Sequence, residues 1–133
     1  MESAATWAER RARPGERRME GIEGPPEGKI GPEDRIIVAL DVPDLGRATE
    51  IVRALRGLVG TYKVGMELFY SVGPKAIEAI HSEGGKVFLD LKLHDIPNTV
   101  AGAASVLTGY GVYMYNVHAS GGFEMMKATV ERN

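Results

Sequence analysis

The chain has 133 residues, is 44% hydrophobic and 26% charged, contains no cysteine and carries a formal net charge of −2. That length falls in the ~100–150 residues typical of one domain, and the near-neutral balance argues against the strongly basic footprint of a nucleic-acid binder. Without cysteine there is no disulfide scaffold and no Cys-ligated zinc or iron–sulfur site, and no apolar run approaches the ~20 residues of a membrane-spanning helix. The opening segment also lacks the apolar stretch of a secretory signal, so the expected location is the cytoplasm.

Residues 1–33 differ from the rest. Arginines at positions 10, 11, 13, 17 and 18 are interleaved with Glu9 and Glu16, and a Gly/Pro-rich run follows from Gly21 to Pro32. Few apolar side chains accompany them, so ordering this stretch would cost backbone entropy with little burial to offset it. A disordered or non-native extension is expected, with Met19 as a candidate start. A nucleic-acid arm is the weaker reading, because the glutamates cancel much of the arginine charge.

From Arg35 the pattern becomes cyclic. The β-branched run Ile36–Leu40 reads as a strand buried on both faces. Asp44 is the expected N-cap of a helix whose apolar stripe is Leu45, Ala48, Ile51, Val52, Leu55 and Leu58. A second strand fits Tyr62–Gly65, and its helix starts at Pro74, buries Ile77 and Ile80, and stops at Gly84 or Gly85. The third strand, Val87–Leu91, precedes a helix from Pro97 to Gly109. A fourth strand, Val112–Val117, leads to a helix beginning near Phe123. Four successive βα units imply a parallel sheet with right-handed crossovers. Either an open doubly wound sheet or a (β/α)8 barrel would satisfy this pattern. No GxGxxG follows the first strand and no Walker A sequence occurs, so the dinucleotide and P-loop readings lose their main support.

In either architecture the carboxyl ends of the strands form the functional rim. Asp41 closes the first strand, Lys63 lies in the second, Asp90 and Lys92 end the third, and Asp95 stands at the mouth of the third helix. Asp90 and Lys92 are two apart, so a strand points both to one face while Leu89 and Leu91 face the helices. Inward-pointing charges are costly unless paired, and an alternating Asp/Lys series gives each an opposite neighbour. Lysines within the set favour proton transfer or anion binding over Lewis-acid catalysis.

The segment FLDLKLHDIPNTV, Phe88 to Val100, closely resembles the signature of orotidine 5′-phosphate decarboxylases. VALD (Val38–Asp41), YKVGMELF (Tyr62–Phe69) and NVHASGG (Asn116–Gly122) extend the match in the same order, over residues 35–133. The resemblance implies the TIM barrel class, here about the first four βα units of a (β/α)8 barrel over residues 34–133. It also implies a cofactor-free, metal-free homodimer acting on orotidine 5′-phosphate in pyrimidine biosynthesis, with neither nucleic acid nor membrane as partner. By the same resemblance Lys92 delivers a proton to C6 of the pyrimidine, and Asp90 sits beside the departing carboxylate. Lys63 links Asp90 to the ribose hydroxyls and Asp41 binds the ribose. Asp95 reaches into the neighbouring subunit's site, with Ile96 and Thr99 lining it. A magnesium-dependent sugar-phosphate decarboxylase or synthase of the same superfamily, and a non-catalytic half-barrel interaction fragment, are the competing readings.

Other residues read as structural. His94 is expected to be a loop histidine with a local hydrogen bond, and His118 a rim residue that packs or shapes the pocket. Gly121 and Gly122 fit either a tight strand-to-helix turn or a close ligand approach. Met125 and Met126 read as helix core or edge, and Tyr113 and Tyr115 as the helix-facing side of the fourth strand. A (β/α)8 barrel takes ~250 residues. The chain is therefore expected to be a truncated half-barrel with open edges at its first and fourth strands, lacking the family's phosphate-gripping residues and with little or no activity alone.

Overall fold

The computed structural model describes residues 30–132. The extension expected over residues 1–33 thus lies mostly outside the described residues. Its last positions are docked. Pro32–Arg35 forms a short 3-10 turn, and the Glu33 carbonyl accepts the Gly60 N–H at 3.0 Å.

Four strands follow: β1 Ile37–Ala39, β2 Thr61–Gly65, β3 Lys86–Leu93 and β4 Met114–Val117. They alternate with helices α1 Leu45–Ala54, α2 Met66–Val72, α3 Lys75–Ser82, α4 Pro97–Gly109 and α5 Phe123–Glu131. All strand pairs are parallel, and the spatial order is β1-β2-β3-β4. That order settles what periodicity leaves open. A doubly wound sheet reverses direction at a switch point between its halves, whereas here each crossover steps the same way, as in successive units of a barrel.

The helix-facing residues alternate along the strands. Val38 and Leu40, Tyr62 and Val64, then Val87, Leu89 and Leu91 join Val52, Ile77, Ile80 and Leu107 in one apolar cluster. Tyr62 is almost fully buried, and its hydroxyl donates to the Val52 carbonyl at 3.3 Å. Burial pushes its phenol pKa up. Each large aliphatic chain removed from water here contributes roughly 1.5–3 kcal/mol.

Asp44 caps α1 as expected, its Oδ1 accepting the Arg47 N–H at 2.8 Å. The helix ends at Ala54, earlier than its stripe implied. Gly57 turns the chain at φ 81°, and Leu58 after it is exposed. Helix α3 stops where glycine was expected to stop it. Gly84 adopts φ 81°, and a Cβ on Gly85 would stand 2.8 Å from Ile80 and 2.9 Å from Tyr62.

Three expectations need correction. The first strand is not buried on both faces, for Ile36 and Ile37 are 52% and 44% exposed. It is an edge strand, covered on the helix side and open on the other. Helix α2 was not anticipated, although Leu68, Phe69 and Val72 carry helical spacing and Leu68 is fully buried. Tyr113 is not packed into the core on the helix side. It precedes β4, is half exposed, and lies under the Lys86 ammonium, 5.2 Å from the ring centroid. Tyr115 does pack against the core. Among the described residues no helix is long and apolar enough to cross a membrane.

Candidate active site at the carboxyl ends of the strands

Opposite the helix-facing set, the sheet presents Ala39, Lys63, Phe88 and Met114 in one register row and Gly65 beside Asp90 in the next. The expected charges converge at this end. Lys63 Nζ lies 3.0 Å from Asp41 Oδ1 and 3.5 Å from Asp90 Oδ2, and Lys92 Nζ lies 2.6 Å from Asp90 Oδ1. Asp41, Lys63, Asp90 and Lys92 therefore form one chain of alternating sign across three strand ends. Asp90 is its buried centre, with a side chain only 12% exposed against 46% for Lys92 and 62% for Asp41.

Burial alone would disfavour the Asp90 carboxylate. The hydrogen bond from Lys92 outweighs it, helped by Asn116, and holds Asp90 below the usual aspartate value. Lys63 is pushed above the usual lysine value, chiefly by its hydrogen bond to Asp41, with Asp90 adding to it. The network thus holds both of these groups ionised. Among the described residues no group of three or more His, Asp or Glu side chains gathers as a metal-ligand set.

The backbone departs from regular strand geometry here. Lys92 has φ 52°, the left-handed region that side chains with a Cβ rarely adopt. The β3–β4 register breaks over the same stretch. Between Leu89 and Leu93 β3 advances four residues, while β4 advances two, from Tyr115 to Val117. The Lys92 N–H finds its acceptor in the Asn116 side chain at 2.8 Å, and Asn116 Nδ2 donates to Asp90 Oδ1 at 2.7 Å. Sequence reasoning gave Asn116 no role. Its signal was its place at the end of a strand beside Asp90, which becomes visible only once β3 and β4 are paired.

Asp95 is not drawn into this array within the chain. Its carboxylate accepts the neighbouring Ile96 N–H at 2.7 Å and faces solvent. With Lys92 and Thr99 it borders a cleft of about 340 Å³ that also includes Tyr70, His94 and His118. Ile96 stands apart from that cleft, 67% exposed. His94 does not have the expected local hydrogen bond among the described residues. Its ring lies against His118, centroids 5.0 Å apart, because the loops after β3 and β4 leave the rim side by side. Gly121 and Gly122 form the tight turn. A Cβ on Gly121 would collide with the buried Met125 side chain, and Gly122 opens α5 at φ 88°.

Comparison with known proteins gives a consistent picture. Residues 34–133 match the model of the orotidine 5′-phosphate decarboxylase / HUMPS family. The orotidine 5′-phosphate decarboxylase of Syntrophomonas wolfei is 54% identical over 99 residues, covering 74% of this chain and 41% of that protein. That of Carboxydothermus hydrogenoformans is 57% identical over 95 residues, 71% of this chain and 40% of that protein. The crystal structure of the Lactobacillus acidophilus orotidine 5′-phosphate decarboxylase superposes with a TM-score of 0.66 at 41% identity, covering 73% of this chain and 44% of that one. The chain thus spans about two fifths of the length of the curated relatives it matches.

Proposed function

The chain belongs to the orotidine 5′-phosphate decarboxylase / HUMPS family, and from that premise we propose that it supplies the proton-transfer half of an orotidine 5′-phosphate decarboxylase site. The observation that carries this reading is the alternating Asp41–Lys63–Asp90–Lys92 array on the strand ends.

In the proposed reaction the bond between C6 of the pyrimidine and its carboxylate breaks, and carbon dioxide leaves. The electron pair stays on C6, and the Lys92 ammonium gives it a proton. Lysine then regains a proton from water. A carbanion at C6 has no adjacent carbonyl to spread its charge, so its stabilisation has to come from fixed charge. An ammonium held at 2.6 Å by a buried carboxylate is aimed before the reaction begins, and little reorganisation remains to be done. Asp90 also repels the substrate carboxylate, a repulsion relieved as that group departs. Lys63 and Asp41 hold the ribose hydroxyls.

Asp95 acts in a second subunit of a homodimer, with Ile96 and Thr99 beside it. Its support is its exposed position at the entry to α4 and its lack of an ion pair within its own chain among the described residues. In protein completed by the C-terminal half of a relative, mixing a Lys92→Ala chain with an Asp95→Ala chain then restores turnover that neither variant has by itself. No recovery on mixing would place Asp95 in its own subunit's site or outside any site.

The reading is tested by release of labelled carbon dioxide from carboxyl-labelled orotidine 5′-phosphate. The 133-residue chain would be assayed alone and co-expressed with the C-terminal half of the Carboxydothermus relative. Little release alone, and release with the complementing half that persists in chelator, is the expected result. Turnover of a sugar phosphate that chelator abolishes would favour the magnesium-dependent reading. A stable complex with no turnover of either substrate would favour a non-catalytic pairing module.

A further inference from the structure

We propose that Asn116 is a positioning residue whose carboxamide locks the Asp90 carboxylate and the Lys92 backbone to one another across the break between β3 and β4. Its catalytic meaning rests on the decarboxylase reading above; the geometry does not.

At the break, three consecutive residues of β3, from Asp90 to Lys92, face a single β4 position, Asn116. Ladder pairing lapses there, and the Lys92 N–H would be left without a strand partner. Asn116 Oδ1 takes that place at 2.8 Å. Lys92 is the one non-glycine residue with positive φ among those described, so its conformation needs outside support. An acceptor fixed at its N–H provides that support. The other end of the same amide donates to Asp90 Oδ1 at 2.7 Å, the oxygen that also accepts Lys92 Nζ at 2.6 Å. One side chain therefore sets both where Lys92 departs from the strand and how the carboxylate that receives its ammonium is turned.

The chemistry of the two partners leaves few substitutes. A backbone N–H requires an acceptor, and an ionised carboxylate requires a donor. A carboxamide offers both, and its orientation is fixed by those partners. Aspartate at 116 would keep an acceptor for Lys92 but set a second anion against Asp90, and leucine would offer neither bond.

The test uses the full chain, with site-specific NMR on wild type, Asn116→Leu and Asn116→Asp. It reads the titration of the Asp90 carboxyl carbon and the hydrogen exchange of the Lys92 amide. In Asn116→Leu the Asp90 midpoint is expected to rise and Lys92 amide exchange to quicken about tenfold or more, while the amides of Val64 and Val87 keep their protection. In Asn116→Asp the Lys92 amide is expected to stay protected while the Asp90 midpoint rises further. An unmoved Asp90 midpoint in both variants would overturn the proposal. So would unchanged Lys92 exchange in Asn116→Leu, or uniform acceleration of all amides, which marks general destabilisation. Absence of turnover by the complemented wild-type protein would instead sink the decarboxylase reading and leave these local readouts to decide Asn116.

Discussion

Strand β3 takes part in an Asp–Lys pair at each end of the sheet, with Asp34 of the Pro32–Arg35 turn at one end and its own Asp90 at the other, and the two ends are built differently. At the amino end Lys86 Nζ meets Asp34 Oδ1 at 2.9 Å, with side chains 44% and 35% exposed. At the carboxyl end Lys92 meets Asp90 at a shorter distance, and Asp90 is also held by Asn116 and approached by Lys63. The first is a solvent-accessible pair with Tyr113 beneath its ammonium, of the kind that contributes little to stability. The second is a buried anion with three donors around it, which fixes the direction of an ammonium. Charge pairing alone does not mark a site; the carboxyl-end pair differs from the amino-end pair in the burial of its anion and in the groups that orient it on the strand-end rim.

The largest expected difference between the two ends is in turnover. In the complemented protein, Lys92→Ala should lower decarboxylation by about 10³-fold or more, the scale of losing an aimed acid together with its fixed charge. Lys86→Ala should leave it unchanged. Comparable losses from both, measured by carbon dioxide release, would erase the distinction.

Stability comes next. Asp90→Ala leaves the Lys63 and Lys92 ammonium groups facing each other without their shared anion. It should cost about 1–3 kcal/mol in urea denaturation, reduced from the fully buried case because water reaches both lysines. Asp34→Ala should leave the denaturation midpoint where it was. A greater loss at Asp34 would reverse the assignment of the two ends.

A smaller effect appears with pH. Folding lowers the Asp90 pKa, so its carboxylate adds stability above the ordinary aspartate value of 3.8 and loses that contribution as pH falls through the lower folded value. Folding raises the Lys63 pKa, so its contribution is complete below the ordinary lysine value of 10.5 and is lost as pH rises through the higher folded value. Wild type and Asp90→Ala should therefore converge in stability in strong acid. A constant difference from neutrality down to pH ~2 would show that Asp90 acts through packing alone.

Salt separates the ends most finely. Asp34 is also lowered, first by its hydrogen bond to Lys86, but that pair is open to solvent. Raising ionic strength to 1 M shortens screening to ~3 Å. The Asp34 titration should then drift back toward the ordinary value while that of Asp90 holds. Equal drift of both carboxyl signals would mean the rim pair is as solvated as the other.

Much of this was readable in the residues. The β-branched runs, the Asp44 cap and the Gly84 stop follow from local backbone chemistry, so the strands, the start of α1 and the end of α3 fall where periodicity puts them. The ladder Asp41, Lys63, Asp90 and Lys92 was readable because strand ends repeat with each βα unit. Helix α2 was missed because Met66–Val72 is too short for periodicity to distinguish it from a loop. The exposure of Ile37 was missed because an apolar run looks alike on a covered and an uncovered face.

The sequence by itself determined the local alternation of strand and helix and the order of charges along the rim, because both depend on neighbours a few residues apart. Only the tertiary structure decided the uniform β1-β2-β3-β4 order, the left-handed Lys92 and the place of Asn116. Each of these depends on which strands pair and in what register. Register is set by the packing of the whole sheet against its helices, through contacts between residues far apart in the chain.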